Sequence, residues 1–345
     1  AGRGLPHHAV PDPPLSTSRS KLRHWRFLLI PAVLLLPALA VAAVLIAHAS
    51  GPRLPVVEYA MHGMETPTAI AAAADGTIWF TIDLADAIGR VRGGKVERIS
   101  TSAKTLEPIG LGVAPDGTAW YTDIGARAIT RVEPNGDVKR FPLGTPAARL
   151  GRLAVAPDGA AWFAEETGYS ISRLKDGTIT RHVFDSPRGG PYGVAVAPDG
   201  TVWATLQSGD QLLRITPDGA MTAFDVPRPA AVPSDIAVGP DGAIWFLEFR
   251  ADAIGRLTDE TFQEFPVGEK SAGLSGLAIT PDGSVWFGML RSGRLGRLRN
   301  GKVDTFRLPR EHARPYTLTV DRDGNVWYAD IVGYVGMLPA RYAQQ

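Results

Sequence analysis

Residues 193–203 read Gly-Val-Ala-Val-Ala-Pro-Asp-Gly-Thr-Val-Trp, two short apolar runs divided by a Pro-Asp-Gly turn signal. Alternating apolar runs on either side of a tight turn predict a strand, a hairpin and a second strand. Nine residues past six of the tryptophans comes an Ile/Leu-x-Arg segment, as at Ile88-Gly89-Arg90 and Ile254-Gly255-Arg256. A Gly, Asp or Asn turn and a run such as Phe262 to Phe265 follow it, which predicts strands three and four. The unit recurs, because Trp79, Trp120, Trp162, Trp203, Trp245, Trp286 and Trp327 stand 41 or 42 residues apart. A four-stranded sheet of that length cannot bury both faces alone, so neighbours must stack in a ring whose closure protects the edges. The prediction is an all-β, seven-bladed β-propeller over residues 55–340.

The seventh repeat ends near Leu338 without an outer strand, whereas Val56-Val57-Glu58-Tyr59 precedes the first full repeat and reads like one. The expected closure therefore pairs this N-terminal strand with the last blade. Upstream, residues 1–26 are rich in Pro, Ser, His and Arg and read as a disordered cytoplasmic tail. Residues 27–47 carry no charge over 21 positions, long enough for a transmembrane helix, so 27–49 is expected to be an anchor or a signal segment. Arg19, Lys21, Arg23 and Arg26 precede it, which predicts a single-pass membrane protein with its N-terminus cytoplasmic and its propeller extracytoplasmic. The alternative is secretion after cleavage near Ala49, because Ala47-His48-Ala49 resembles a small-x-small site.

A formal charge of +1 over 345 residues argues against nucleic acid as a partner, since such binders carry a strongly basic face. The absence of cysteine excludes disulfides and thiolate metal sites, so stability must come from stacked blades. A monomer is expected. No Gly-x-Ser-x-Gly elbow, Walker loop or His-Glu-x-x-His occurs.

Positions repeated in every blade are scaffold, and function should lie in the deviations. The tryptophans are thus expected in the core between blades, and Arg90, Arg131, Arg173, Arg214, Arg256 and Arg297 are expected as blade-to-blade hydrogen bonders. Centring each hairpin on its Asp-Gly turn sets Glu107 opposite Asp123, Arg149 opposite Glu165 and Arg314 opposite Asp330 at the face carrying the blade-connecting loops. Opposite charges facing each other need no further explanation, but two facing carboxylates do. Either Mg²⁺ or a shared proton relieves Glu107 and Asp123, or Arg149 and solvent do. The expected ligand-binding rim comprises Asp83, Arg149, Glu165, Tyr192, Glu248, Arg314, Tyr316 and Asp330. It suits a small peptide, depsipeptide or glycan.

The repeat Gly-x-Ala-Val-x-Pro-Asp-Gly-x-x-Trp-Phe followed by Ile-Gly-Arg resembles that of the streptogramin lyases, the virginiamycin B lyase family, over about residues 55–340. The resemblance implies ring opening of a cyclic depsipeptide antibiotic by elimination at its ester bond. It further implies Mg²⁺ held by two glutamates, a histidine base, and another histidine one blade earlier against substrate. The family signature is Glu-Pro-His with a Glu fourteen residues after the histidine. Glu107-Pro108-Ile109 with Asp123 matches the metal half at the same spacing, while Ile109 and Thr68 stand at the two histidine positions. The collinear match in the final blade gives Arg314-Pro315-Tyr316 with Asp330, and Ser275 at the earlier histidine. Isoleucine transfers no proton, phenols in general ionise near pH 10, and losing a positioned base costs about 10²- to 10⁴-fold in rate. His62 and His312 precede inner strands and are the candidate replacements. Three readings follow: a binding or sensing propeller for a peptide, glycan or cell-wall ligand, a divergent Mg²⁺-dependent lyase linked to antibiotic resistance, and an assembly scaffold.

Overall fold

The computed structural model describes residues 55–343 apart from 64, 145–148 and 186–188. Seven four-stranded antiparallel sheets follow the repeat, blades 1 to 7 beginning with the inner strands at 66–72, 111–113, 150–155, 191–196, 233–238, 274–279 and 315–320, with strands in sequence order from the inside outward in the first six. Blade 3, for example, runs Leu150–Val155, Ala161–Glu165, Ser170–Lys175 and Thr178–Val183. The seventh blade takes its outer strand from the start of the chain. Val57–Ala60 pairs antiparallel with Tyr334–Leu338, Val57 facing Met337 and Ala60 facing Tyr334. The N-terminal strand thus closes the ring, as the sequence predicted. Tyr59 stacks on Trp327 at 5.8 Å, so the closure is packed as well as hydrogen-bonded.

The repeated residues build the seams between blades. Trp79 of blade 1 clusters with Leu111, Ala119 and Tyr121 of blade 2, and Trp162 of blade 3 with Val194 and Val202 of blade 4. Trp245 is half-buried and the other six are buried. The repeated arginines act differently from expectation. All six guanidinium groups lie over the tryptophan of their own blade, 5.4 to 5.9 Å from the ring centroid. Arg90 also donates to Pro134 O of the next blade at 2.8 Å. A weakly hydrated, planar cation covers an indole face while its edge stays wet, which explains Arg at that register. The glycine of Ile-Gly-Arg has a packing reason, since a Cβ on Gly255 would lie inside the Phe246 ring.

One local feature changes the expected pairing at the loop face. Each inner strand except that of blade 2 carries a bulge, as between Leu150 and Leu153, that shifts its register against the second strand. The partner of Glu165 is therefore Leu150, and that of Asp330 is Pro315. In blade 2 the inner strand is only Leu111–Val113, which leaves Glu107 outside the ladder. A one-residue slip moves every side chain to the other face, so the facing charge pairs drawn from ideal hairpins do not form.

The single-pass membrane placement is not supported, because no helix among the described residues is long and apolar enough to cross a membrane. The expected tail at 1–26 and apolar segment at 27–49 lie outside the described residues.

Candidate functional site

Four buried carboxylates end second strands, Asp123, Glu165, Glu248 and Asp330, and half-buried Asp83 ends a fifth. All four residues are 0–2% exposed, hence within the wall and not on an open rim. Buried carboxylates require partners, and these come from loops and outer strands. Glu165 accepts from Ser172 Oγ and from Arg181 Nε at 2.9 Å. Asp330 accepts from the Arg310 guanidinium, from Arg314 N at 2.9 Å and from Val332 N at 3.1 Å. Asp123 Oδ1 accepts from Ala126 N at 3.0 Å and Leu106 N at 3.4 Å, while Oδ2 is buried without a hydrogen-bond partner. Glu248 stands 4.0 Å from Arg228 Nε. Burial first, then the negative charge of Glu264, pushes its pKa up to about 8.

The ring centre is filled from blade 3. Arg152, 7% exposed, donates from Nη1 to Ile109 O of blade 2 at 3.0 Å and from Nη2 to Ser275 O of blade 6 at 3.4 Å. Its Nε is 3.8 Å from Asp235 Oδ1 of blade 5 and has no hydrogen-bond partner. The guanidinium also meets the Tyr192 ring of blade 4 at 5.7 Å and the Tyr316 ring of blade 7 at 5.3 Å. The two phenol oxygens are 3.5 Å apart. Burial lowers the Arg152 pKa, but Tyr192, Asp235 and Tyr316 outweigh it and raise the value overall. Arg152 stays a cation in the middle of the ring.

Beside this plug lies a cavity of about 600 Å³ across blades 4 to 6, with Tyr316 of blade 7 closing one side. Tyr192, Val232, Phe249, Leu274 and Leu290 supply apolar wall, and Gln207, Ser208, Ser234, Ser275 and Arg250 supply polar groups. That size and mixture suit a compact organic ligand. Asp210 shapes the wall by accepting Ala230 N at 2.7 Å and Val232 N at 2.9 Å. Val232 sits at φ 55°, a strained conformation for a β-branched residue held by that carboxylate.

The predicted rim residues therefore separate. Tyr192 and Tyr316 come together at the cavity, whereas Asp123, Glu165, Glu248 and Asp330 face strands of their own blades or the linkers entering them. Arg149 is exposed and pairs with Glu166 at 3.2 Å, not Glu165. Arg314 is exposed, and its backbone N–H rather than its guanidinium meets Asp330. Asp83 caps the loop at Glu107, accepting from Glu107 N at 2.9 Å. His62 and His312 are exposed and do not line the cavity. The sequence reading missed Arg152, although it is the sole arginine at a repeat position otherwise held by Ala69, Gly110, Gly193, Asp235, Gly276 and Thr317.

A divalent cation needs several oxygens that converge, and among the described residues no group of three or more His, Cys, Asp or Glu could hold one. Glu107 is exposed at φ 48°, outside the strand, while Asp123 is wholly buried. In the final blade, Arg314 occupies a position where the resemblance requires a carboxylate, and Arg310 already engages Asp330. The described residues do not form a two-glutamate cage.

The model of the virginiamycin B lyase family matches residues 53–175 and 95–340. A virginiamycin B lyase from Nocardia farcinica (strain IFM 10152) is 35% identical over 207 residues, 60% of this chain and 71% of that protein. A catalytically inactive histidine-to-alanine variant of virginiamycin B lyase from Staphylococcus aureus, solved with quinupristin, superposes with a TM-score of 0.78 at 25% identity, covering 83% of this chain and 99% of its own. A streptogramin B lyase structure gives 0.77 at 26%, covering 82% and 96%. At 15% identity, YCF48 bound to D1 peptide shares the fold, with a TM-score of 0.65 over 84% of this chain and 99% of its own.

Proposed function

Because the chain belongs to the virginiamycin B lyase family, we propose that it is a lyase-like propeller that binds a compact peptide or depsipeptide in the cavity across blades 4 to 6, without the family's proton transfer. The carrying observation is the pair of side chains at the positions that the resemblance gives to histidine. Ser275 Oγ donates to Pro315 O at 2.7 Å, and Tyr316 meets Tyr192 through their hydroxyls. In the alternative match, Ile109 has no ionisable group and Thr68 Oγ1 donates to Pro108 O at 2.9 Å. Neither pair offers a free imidazole to remove a proton, whereas the cavity wall retains aromatic and hydroxyl groups able to hold a peptide.

Ligand residence follows from these surfaces. Phe249, Leu274 and Leu290 exclude water from an apolar face, and Ser208, Gln207 and Arg250 meet ligand carbonyls at the margin. The quinupristin carried by the Staphylococcus aureus relative supplies the probe. Calorimetry is expected to show quinupristin binding, and chromatography with mass detection is expected to show no ring-opened product, with or without Mg²⁺. Ring opening that needs Mg²⁺ would instead establish the second reading, a divergent lyase. The observation favouring that reading is the unpartnered, buried Oδ2 of Asp123. No binding at all would remove the peptide-binding reading.

A further inference from the structure

We propose that Arg152 is the positioning residue of the cavity floor, holding Tyr192 and Tyr316 as one hydrogen-bonding platform that selects compact ligands presenting carbonyl acceptors. The proposal rests on the cavity reading above for its ligand and on the ring centre for its geometry. The other six blades place small, neutral or acidic residues at this position, and blade 3 alone sends a long cation across the ring. The guanidinium fixes itself by two carbonyls from different blades, Ile109 O and Ser275 O. It also lies over the Tyr192 and Tyr316 rings, at 5.7 and 5.3 Å. Both tyrosines then line the cavity with their hydroxyls adjacent.

This arrangement has two consequences for a ligand. The plug blocks the ring centre beneath the tyrosines, so a folded or cyclic peptide is accommodated in preference to an extended chain threading the ring. A fixed positive charge behind the platform favours ligand groups of negative potential and disfavours cations. Tyr192 stays protonated, since burial and then other neighbours raise its pKa against the lowering effect of Arg152, and its O–H remains a donor. A single point charge could not replace the plug, because a guanidinium offers flat faces and divergent donors together, which an ammonium lacks.

The test reads the clamp without a ligand first. Hydroxyl-radical footprinting mapped by mass spectrometry, which reads side-chain exposure independently of phenol ionisation, is compared in the full protein, Arg152→Met and Arg152→Lys, with buried Tyr121 as the fold control. Both variants are expected to oxidise at Tyr192 and Tyr316 about tenfold faster, as loss of the cation–π contacts frees the rings, while Tyr121 stays protected. Unchanged rates in a folded variant would overturn the clamp. Full protection in Arg152→Lys would also overturn it, by showing that charge alone suffices, and this variant decides the matter if Arg152→Met does not fold. Quinupristin affinity is then expected to fall about tenfold in each variant, and unaltered affinity would overturn the positioning role. If the unmodified protein binds no quinupristin, the cavity reading fails while the footprinting result still decides the clamp.

Discussion

Blades 3 and 5 carry the same buried glutamate at the end of the second strand, Glu165 and Glu248, and the fold neutralises the two in different ways. In blade 3 the outer strand supplies Arg181 sixteen residues later, and Ser172 on the strand between donates as well. In blade 5 those positions are Glu264 and Gly255, one a second carboxylate and the other without a side chain. The compensating cation is Arg228, from the linker entering the blade, which engages Glu264 by two hydrogen bonds and stands 4.0 Å from Glu248. One cation then serves two acids. Glu264, bonded to Arg228, has its pKa lowered, while Glu248 is raised by burial and by Glu264, so the proton resides on Glu248. Blade 7 uses the same linker position, with Arg310 bridging Glu58 and Asp330. The difference shows that one repeat position holds either a permanent ion pair or a titratable acid, according to which strand or loop supplies the cation.

The largest expected effect breaks the blade 3 pair. Arg181→Met leaves Glu165 buried without its cation and is expected to lower unfolding free energy by about 3 kcal/mol at pH 7, read from urea denaturation. The same experiment with Arg181→Met and Glu165→Gln together should recover most of that loss, because the uncompensated charge is then gone. No recovery would place the stabilisation in packing instead.

The next sharpens blade 5 through pH. The folded pKa of Glu248 is raised from 4.5 to about 8, so the folded state retains a proton that the unfolded chain has released. The contribution is complete below about pH 4.5 and is lost as pH rises through about 8. Glu248→Gln is expected to flatten that decline, matching the unmodified protein at pH 5 and exceeding it at pH 9 in urea midpoint. Equal slopes for both proteins would mean that Glu248 is ionised at neutral pH.

The smallest effect comes from the linker. Arg228→Ala removes an exposed cation, so its cost should be slight and should shrink further as salt is added. It should also push the ionisation of Glu248 to still higher pH, visible as a shift in the carboxyl carbon resonance. An effect as large as that of Arg181→Met would erase the distinction between the blades.

The framework was readable because it repeats. Trp79 and its six counterparts, the Asp-Gly hairpins and the spare strand around Glu58 are local patterns, and each maps to one structural role. The site was less readable because its residues meet across blades. Pairing Arg149 with Glu165 assumed an unbroken hairpin, and a bulge between Leu150 and Leu153 gives that glutamate to Leu150 instead. The true partner, Arg181, lies two strands outward, where the sixteen-residue spacing is present in the sequence but has no meaning until the strand order is known.

The sequence by itself determined the number of blades, the seams between them and the strand that closes the ring, since all of these follow from residue type at fixed spacing. Tertiary structure alone decided which charges meet and which residues share the cavity. Arg152, Tyr192, Asp235, Ser275 and Tyr316 come from five different blades, and they become neighbours because seven wedge-shaped sheets converge on one axis. Contacts of that kind depend on the closure of the ring, a distance in space that no spacing along the chain encodes.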